Sequence, residues 1–177
     1  GQETQEITGK MTLLKNSIEV FKDEKGKTTF EEVAANDALF GDNNTKGNFQ
    51  PDKVYWMKLN LQAGKNYRDT CLFYVEGGTS FLSWEKIDAD LIREDGRVEQ
   101  QQTGYGLARE NKSIPIPRQV LGFGLDSTEN ARLYIRVEGE IAGRDPELLS
   151  IWAKQTKELS PFFQHEYQFT GEFREDV

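Results

Sequence analysis

Between Phe49 and Trp152 the chain is a series of short segments rich in β-branched and aromatic residues, separated by turn clusters at hairpin-like spacing. That rhythm belongs to an all-β sandwich or barrel. Strands are expected at Ser17–Lys22, Val54–Leu61, Thr70–Val75, Phe81–Trp84, Ile87–Glu94, Arg97–Gln102, Gln119–Leu125, Arg132–Glu138 and Leu148–Lys154. The breaks between them have physical causes. Asp95-Gly96 suits a tight hairpin turn, Ala63-Gly64-Lys65-Asn66 and Gly77-Gly78 supply left-handed backbone, and Pro115 and Pro117 disfavour a central strand. One short helix is expected near Thr28–Val33, where threonine caps stand three residues before an acid. At 177 residues the chain suffices for one main domain. It divides into a lead-in with the first strand (1–27), the β domain (28–156) and an aromatic, charged tail (157–177) that reads as a last strand, a docked arm or a tether.

Alternate residues of a strand point to opposite faces. Val54–Leu61 sets Tyr55, Met57, Leu59 and Leu61 against Val54, Trp56, Lys58 and Asn60; Arg132–Glu138 sets Leu133, Ile135 and Val137 against Arg132, Tyr134, Arg136 and Glu138. Leu148–Lys154 repeats the pattern, with Trp152 and Lys154 on the second side. If these strands share a sheet, Trp56, Lys58, Asn60, Tyr134, Arg136, Trp152 and Lys154 form one outward face of rings among cations and amides. An open face of that kind suits a sugar, whose apolar ring faces stack on aromatics while its hydroxyls take directional bonds. The alternative is that a helix, a loop or the tail covers this face and makes the rings a second small core.

Composition and motifs narrow the rest. With 22 Lys and Arg against 30 Asp and Glu the chain is acidic, so phosphate backbones and anionic lipid are poor partners. No apolar run is long enough to span a membrane, and Gly1-Gln-Glu-Thr-Gln lacks the features of a signal peptide, which says nothing against secretion of a processed chain. Cys71, alone in Thr70-Cys-Leu-Phe-Tyr-Val75, reads as a buried thiol. His165 is the single histidine and has no nucleophile motif beside it, and one histidine with one cysteine cannot build the usual zinc sites. Asp88 and Asp90 share a strand face near Glu85, Glu94 and Asp95, but without a calcium-loop or glycosidase spacing they read as a solvated acidic edge. Gly104-Tyr-Gly106 and Gly122-Phe-Gly124 read as turns or bulges rather than phosphate loops. No cofactor, no metal and no catalytic set is expected.

Five blocks, in order, carry a resemblance. They are Thr29-Phe-Glu-Glu-Val33 with Asn48-Phe49; Val54-Tyr-Trp-Met-Lys-Leu-Asn-Leu61; Ile87-Asp-Ala-Asp-Leu-Ile92 with Asp95-Gly96 and Thr103-Gly104; Ile116-Pro-Arg118 with Gly122-Phe-Gly-Leu125; and Leu133-Tyr-Ile-Arg-Val137. Over residues 28–155 the chain resembles the type 2 extracellular domain of bacterial seven-transmembrane receptors with diverse intracellular signalling modules. It departs from that pattern at Gly77–Trp84 and at Ile92. The resemblance implies a jelly-roll β-sandwich similar to carbohydrate-binding modules. It also implies an extracytoplasmic position, periplasmic or at the cell surface, ahead of seven membrane helices and an intracellular kinase, cyclase or similar output in the same chain.

The expected function is ligand sensing for a membrane receptor, with a carbohydrate as ligand. The alternative is a protein-binding or self-associating module, a homodimer for example, in which Trp56, Tyr134 and Trp152 form the contact. A glycosidase using Asp88, Asp90 or Glu85 is the third reading.

Overall fold

The computed structural model describes residues 4–8, 12–13, 17–42, 53–67, 69–76, 84–116, 119–139 and 150–155, some of them by backbone alone. Two β-sheets face each other across one core. The larger sheet holds β1 (Thr4–Ile7), β3 (Glu19–Asp23), β4 (Gly41–Asp42), β5 (Val54–Ala63), β7 (Lys86–Ile92), β8 (Val98–Thr103) and β10 (Asn130–Glu138). The smaller holds β2 (Thr12–Leu13), β6 (Asp69–Glu76), β9 (Val120–Leu125) and β11 (Ser150–Gln155) in the order β2-β11-β6-β9. The order in the larger sheet is β4-β3-β5-β10-β7-β8, with β1 also on β5. β3 and β1 pair with successive stretches of β5, antiparallel over Val54–Lys58 and parallel over Asn60–Ala63. The lead-in before residue 28 is thus hydrogen-bonded into both sheets, through β1 and β3 in one and β2 in the other.

The expected alternation builds the core. Tyr55, Met57, Leu59 and Leu61 of β5 and Leu133, Ile135 and Val137 of β10 meet Cys71, Phe73 and Val75 of β6 and Leu121 and Phe123 of β9, all buried. Cys71 is a core thiol, as its apolar neighbours imply. The expected strand Phe81–Trp84 falls mostly outside the described residues; Trp84 itself is buried and lies just before β7 rather than in a strand. The tail 157–177, with His165, also lies outside them.

Side chains clasp the two sheets where their edges meet. The Gln101 amide donates to the Gly122 carbonyl and accepts from the Gly122 N–H at 2.8 Å, which mimics a strand pairing between β8 and β9. Buried Arg93 donates to Glu99 at 2.7 Å, to Glu129 at 2.8 Å and to the Gly124 carbonyl, so one guanidinium satisfies groups from both sheets. Gly122 also lets a loop close over the smaller sheet, because a Cβ there would lie 2.8 Å from Ile114 Cδ1 and 3.0 Å from Leu72 Cδ2. Ile114 and Ile116 of that loop pack on Leu72 and Val120 as a small satellite core. Gly104 turns the chain after β8 at φ +134°, a region that L side chains rarely adopt.

Candidate functional site

The outer face of the larger sheet is ordered in rows across five strands. One row reads Phe21, Trp56, Arg136, Asp88, Gln102; the next reads Glu19, Lys58, Tyr134, Asp90, Gln100. The third starts from β1 and reads Thr4, Asn60, Arg132, Ile92, Val98. Five of the seven residues expected on one ringed face therefore do share a sheet surface: Trp56, Lys58, Asn60, Tyr134 and Arg136. The other two do not. Trp152 and Lys154 lie in the smaller sheet, paired in register with Tyr74 and Leu72. Alternation within a strand assigns faces, but it cannot say which sheet a strand joins.

Nor does the ringed part of that face stand open. A short flap crosses it, made of α1 (Phe30–Ala34) and a 3-10 turn at Asp37–Leu39. Thr29 caps α1 by accepting from the Glu32 N–H at 3.2 Å, and Asn36 caps the 3-10 turn by accepting from the Ala38 N–H at 3.2 Å. A five-residue helix has little stability of its own, so packing holds it. Val33 is fully buried against Val54, Trp56 and Tyr134, with Phe21, Phe30 and Phe40 around them. Phe30 and Phe40 meet the Tyr134 ring at centroid separations of 5.9 and 6.0 Å. Trp56 is 2% exposed and Tyr134 is 0% exposed, so neither can stack on a ligand while the flap is in place. The covered arrangement is the one the protein adopts, and the rings are a second small core.

Lys58 also has a structural task. Buried to 2% exposure, its Nζ donates to Asp37 Oδ1 at 2.6 Å and lies 6.0 Å from the Phe40 ring centroid. It fastens the 3-10 turn to the sheet. The buried Asp23 carboxylate shapes the approach to the flap by accepting from the N–H groups of Gly26 and Thr28, both at 3.0 Å. Gly26 has φ +65°, and its carbonyl accepts from Arg136 Nη2 at 3.4 Å.

Beyond the flap the same face stays open. Over β10, β7 and β8 it carries Arg132, Arg136, Asp88, Gln100 and Gln102, with Asp90 buried to 6% exposure among them. A groove of about 390 Å³ is lined by Asp88, Asp90, Gln100, Gln102 and Ser113. In it Asp90 Oδ1 accepts from Gln100 at 2.9 Å, and Gln102 donates to the Asn111 carbonyl at 2.8 Å. Burial pushes the Asp90 carboxyl above its usual range, and the negative charges of Asp88 and the flap's Glu31 push the same way against the Gln100 hydrogen bond. A second groove, also of about 390 Å³, lies where β5, β10 and β7 meet, lined among others by Asn60, Asn130, Arg132 and Ile92. Of the residues expected on the ringed face, Asn60 and Arg136 border this open region. Arg132, Gln100, Gln102 and Asn130 fall outside the expected set, although the alternation of Val98–Thr103 already sets Gln100 and Gln102 on one face. What one strand cannot show is their position beside Asp88 and Asp90.

Among the described residues no group of three or more His, Cys, Asp or Glu side chains is placed to hold a metal ion, and no helix is long and apolar enough to cross a membrane.

No curated protein matches the chain. A solved structure reported as "Structural basis for the promiscuous specificity of the carbohydrate-binding modules from the beta-sandwich super family" is similar at 12% identity and a TM-score of 0.29, covering 82% of this chain and 54% of its own. This chain thus spans about half the length of that one. The fold assignment rests on the two sheets themselves. The family model described as 7TMR-DISM extracellular 2 matches residues 15–143, a span that runs from before β3 to just past β10 and includes the flap, the covered rings and the open strip. The chain belongs to that family and is an extracellular domain of the seven-transmembrane receptor class.

Proposed function

We propose that this domain senses a small polyhydroxylated ligand, a carbohydrate, on the open strip of the larger sheet, and passes its occupancy to membrane and intracellular parts of the same receptor chain. The observation that carries the reading is the side-by-side placement of Asp88, Asp90, Gln100 and Gln102 in one groove. Carboxylates accept from paired hydroxyls, and side-chain amides both donate and accept, which is the hydrogen-bonding vocabulary a sugar needs. Ile92 and Val98 add aliphatic surface in the adjoining row, and Val98 is 46% exposed.

The site is read as one of binding rather than catalysis. Asp88 and Asp90 project from one face of one strand, and their cross-strand neighbours on β8 are the amides Gln102 and Gln100. A glycosidase needs two carboxyls flanking the scissile bond from opposite sides. The self-association reading draws less support: among the described residues the exposed large hydrophobics are Val98, which starts β8, and Tyr105, two residues beyond its far end.

Calorimetric titration with a panel of neutral and acidic oligosaccharides tests the proposal. At least one saturable isotherm is expected, weakened about tenfold or more in an Asp88→Ala, Gln102→Ala double variant that keeps its melting temperature. A panel that gives no heat with the folded domain, or binding that the double variant leaves intact, contradicts it.

A further inference from the structure

The row Thr4, Asn60, Arg132, Ile92, Val98 crosses five strands and ranks its side chains by chemistry: a hydroxyl, an amide, a guanidinium, then two aliphatics. At ~4.8 Å per strand it extends roughly 19 Å, the length of an oligosaccharide rather than a single sugar. The cations of this outer face are otherwise committed. Lys58 is paired with Asp37, Lys86 with Asp88 and Arg136 with Glu138. Arg132 has no carboxylate partner among the described residues.

Its guanidinium is nevertheless held in place. Nη1 donates to the Tyr134 hydroxyl at 3.3 Å, and Cζ lies 5.9 Å from the Tyr134 ring centroid. Tyr134 is itself locked beneath the flap by Phe30 and Phe40. Beside Arg132, directly opposite on β5, the Asn60 amide also has no hydrogen-bond partner among the described residues. Both line the same groove, whose rim acid Glu94 accepts from Asn130 at 3.1 Å. A positioned guanidinium with an amide alongside that has no partner among the described residues is a local arrangement for one oxyanion, in a chain whose net charge is −8.

We propose that the ligand is an acidic saccharide whose oxyanion sits on Arg132 and Asn60, with its further units running past Ile92 and Gln100 into the groove of Asp88 and Gln102. The inference rests on the sugar-binding reading above and gives it a ligand class. A carboxylate, as in a uronic acid, fits the planar fork of the guanidinium in a bidentate manner, and a sulfate ester offers related oxygens.

The test titrates the whole 177-residue chain with trigalacturonate, neutral galactotriose and sulfated galactotriose. At least tenfold tighter binding of an acidic probe than of its neutral counterpart is expected, shrinking as salt rises from 0.05 to 0.5 M as a charge contact does. The carboxylate and sulfate arms distinguish the two sources of the oxyanion. Arg132→Gln should abolish the preference. Asn60→Asp is a second variant that leaves the guanidinium and its support in place; it supplies Arg132 with an internal carboxylate, and the acidic probes should then lose their advantage without loss of the fold. Equal binding of neutral and acidic probes overturns the inference and leaves sugar sensing standing. An acidic preference that survives both substitutions overturns the assignment to Arg132 and Asn60. No binding by any probe overturns the inference together with the sugar-binding reading.

Discussion

The outer face of the larger sheet carries two surfaces side by side, built from the same kind of strand, one covered and one open. Over β3, β5 and β10 it presents Phe21, Trp56 and Tyr134, and a flap seals these rings so that Trp56 and Tyr134 keep at most 2% exposure. Over β10, β7 and β8 it presents Asp88, Gln100, Gln102 and Arg132, and nothing among the described residues closes the grooves they line. The difference follows from side-chain chemistry. Rings left in water invite a cover, and residues 28–40 supply one with Phe30, Val33 and Phe40. Amides and carboxylates are well solvated and have no need of it. The surface that looked most like a binding site in the sequence is thus structural, and the plainer strip beside it is free to meet a ligand. The two are joined through β10, where Tyr134 belongs to the covered side and steadies Arg132 on the open one.

Substitutions in the two halves should separate stability from binding. The largest effect is expected at Trp56. Trp56→Ala empties the space under the flap and should cost about 3–5 kcal/mol in chemical denaturation. Trp56→Phe should cost clearly less, since it also removes an indole N–H that is buried with no partner among the described residues. Gln102→Ala, on the open side, removes an exposed side chain whose bond to the Asn111 carbonyl is also exposed, and should stay within about 0.5 kcal/mol of the parent. Loss of stability on the open side equal to that at Trp56 would break the distinction.

The flap's fastening comes next in size. Asp37→Ala leaves the buried Lys58 ammonium without its carboxylate and should cost about 1–3 kcal/mol, less than a wholly buried pair because the Asp37 side chain is 50% exposed. Lys58→Met keeps the volume and removes the charge, so it should be close to neutral. If Lys58→Met unfolds the domain while Asp37→Ala does not, the cation has a role beyond holding the turn.

The smallest effect concerns pH. The folded protein holds Asp90 above the usual carboxylate range, chiefly through burial, so it favours the protonated form more than the unfolded chain does. The stability linked to this group is fully present below the ordinary pKa of about 3.9 and is lost as pH rises through the raised value. Asp90→Asn should therefore raise the melting temperature at neutral pH and flatten that part of the pH profile, while its side-chain carbonyl keeps the bond from Gln100. An unchanged profile would show that Asp90 is better solvated than its 6% exposure implies.

Much of this architecture was legible in the sequence. Period-two alternation in Val54–Leu61 and Arg132–Glu138 assigned their core residues, because each strand covers the core with one face. The Thr29 cap located the helix, and Asp95-Gly96 located the hairpin whose Gly96 has φ +90°. The short strands β1, β2 and β4 were not legible: two to four residues carry no measurable period, and β1 is identified only by its parallel register on β5. The candidate site was half legible. Asn60 and Arg136 border the open strip, but the covering of Trp56, Lys58 and Tyr134 depends on where residues 28–40 settle. The grouping of Asp88 and Asp90 with Gln100 and Gln102 depends on which strands become neighbours. Both are long-range facts that no local spacing contains.

The claim that the open strip, and not the ringed face, meets the ligand is tested most directly by mapping amide and indole chemical shifts during titration with an oligosaccharide that binds. Shifts concentrated on Asn60, Asp88, Asp90, Ile92, Gln100, Gln102 and Arg132, with the Trp56 indole and the amides of residues 29–40 unmoved, are the predicted result. Shifts centred on Trp56 and the flap, with β7 and β8 silent, would contradict it.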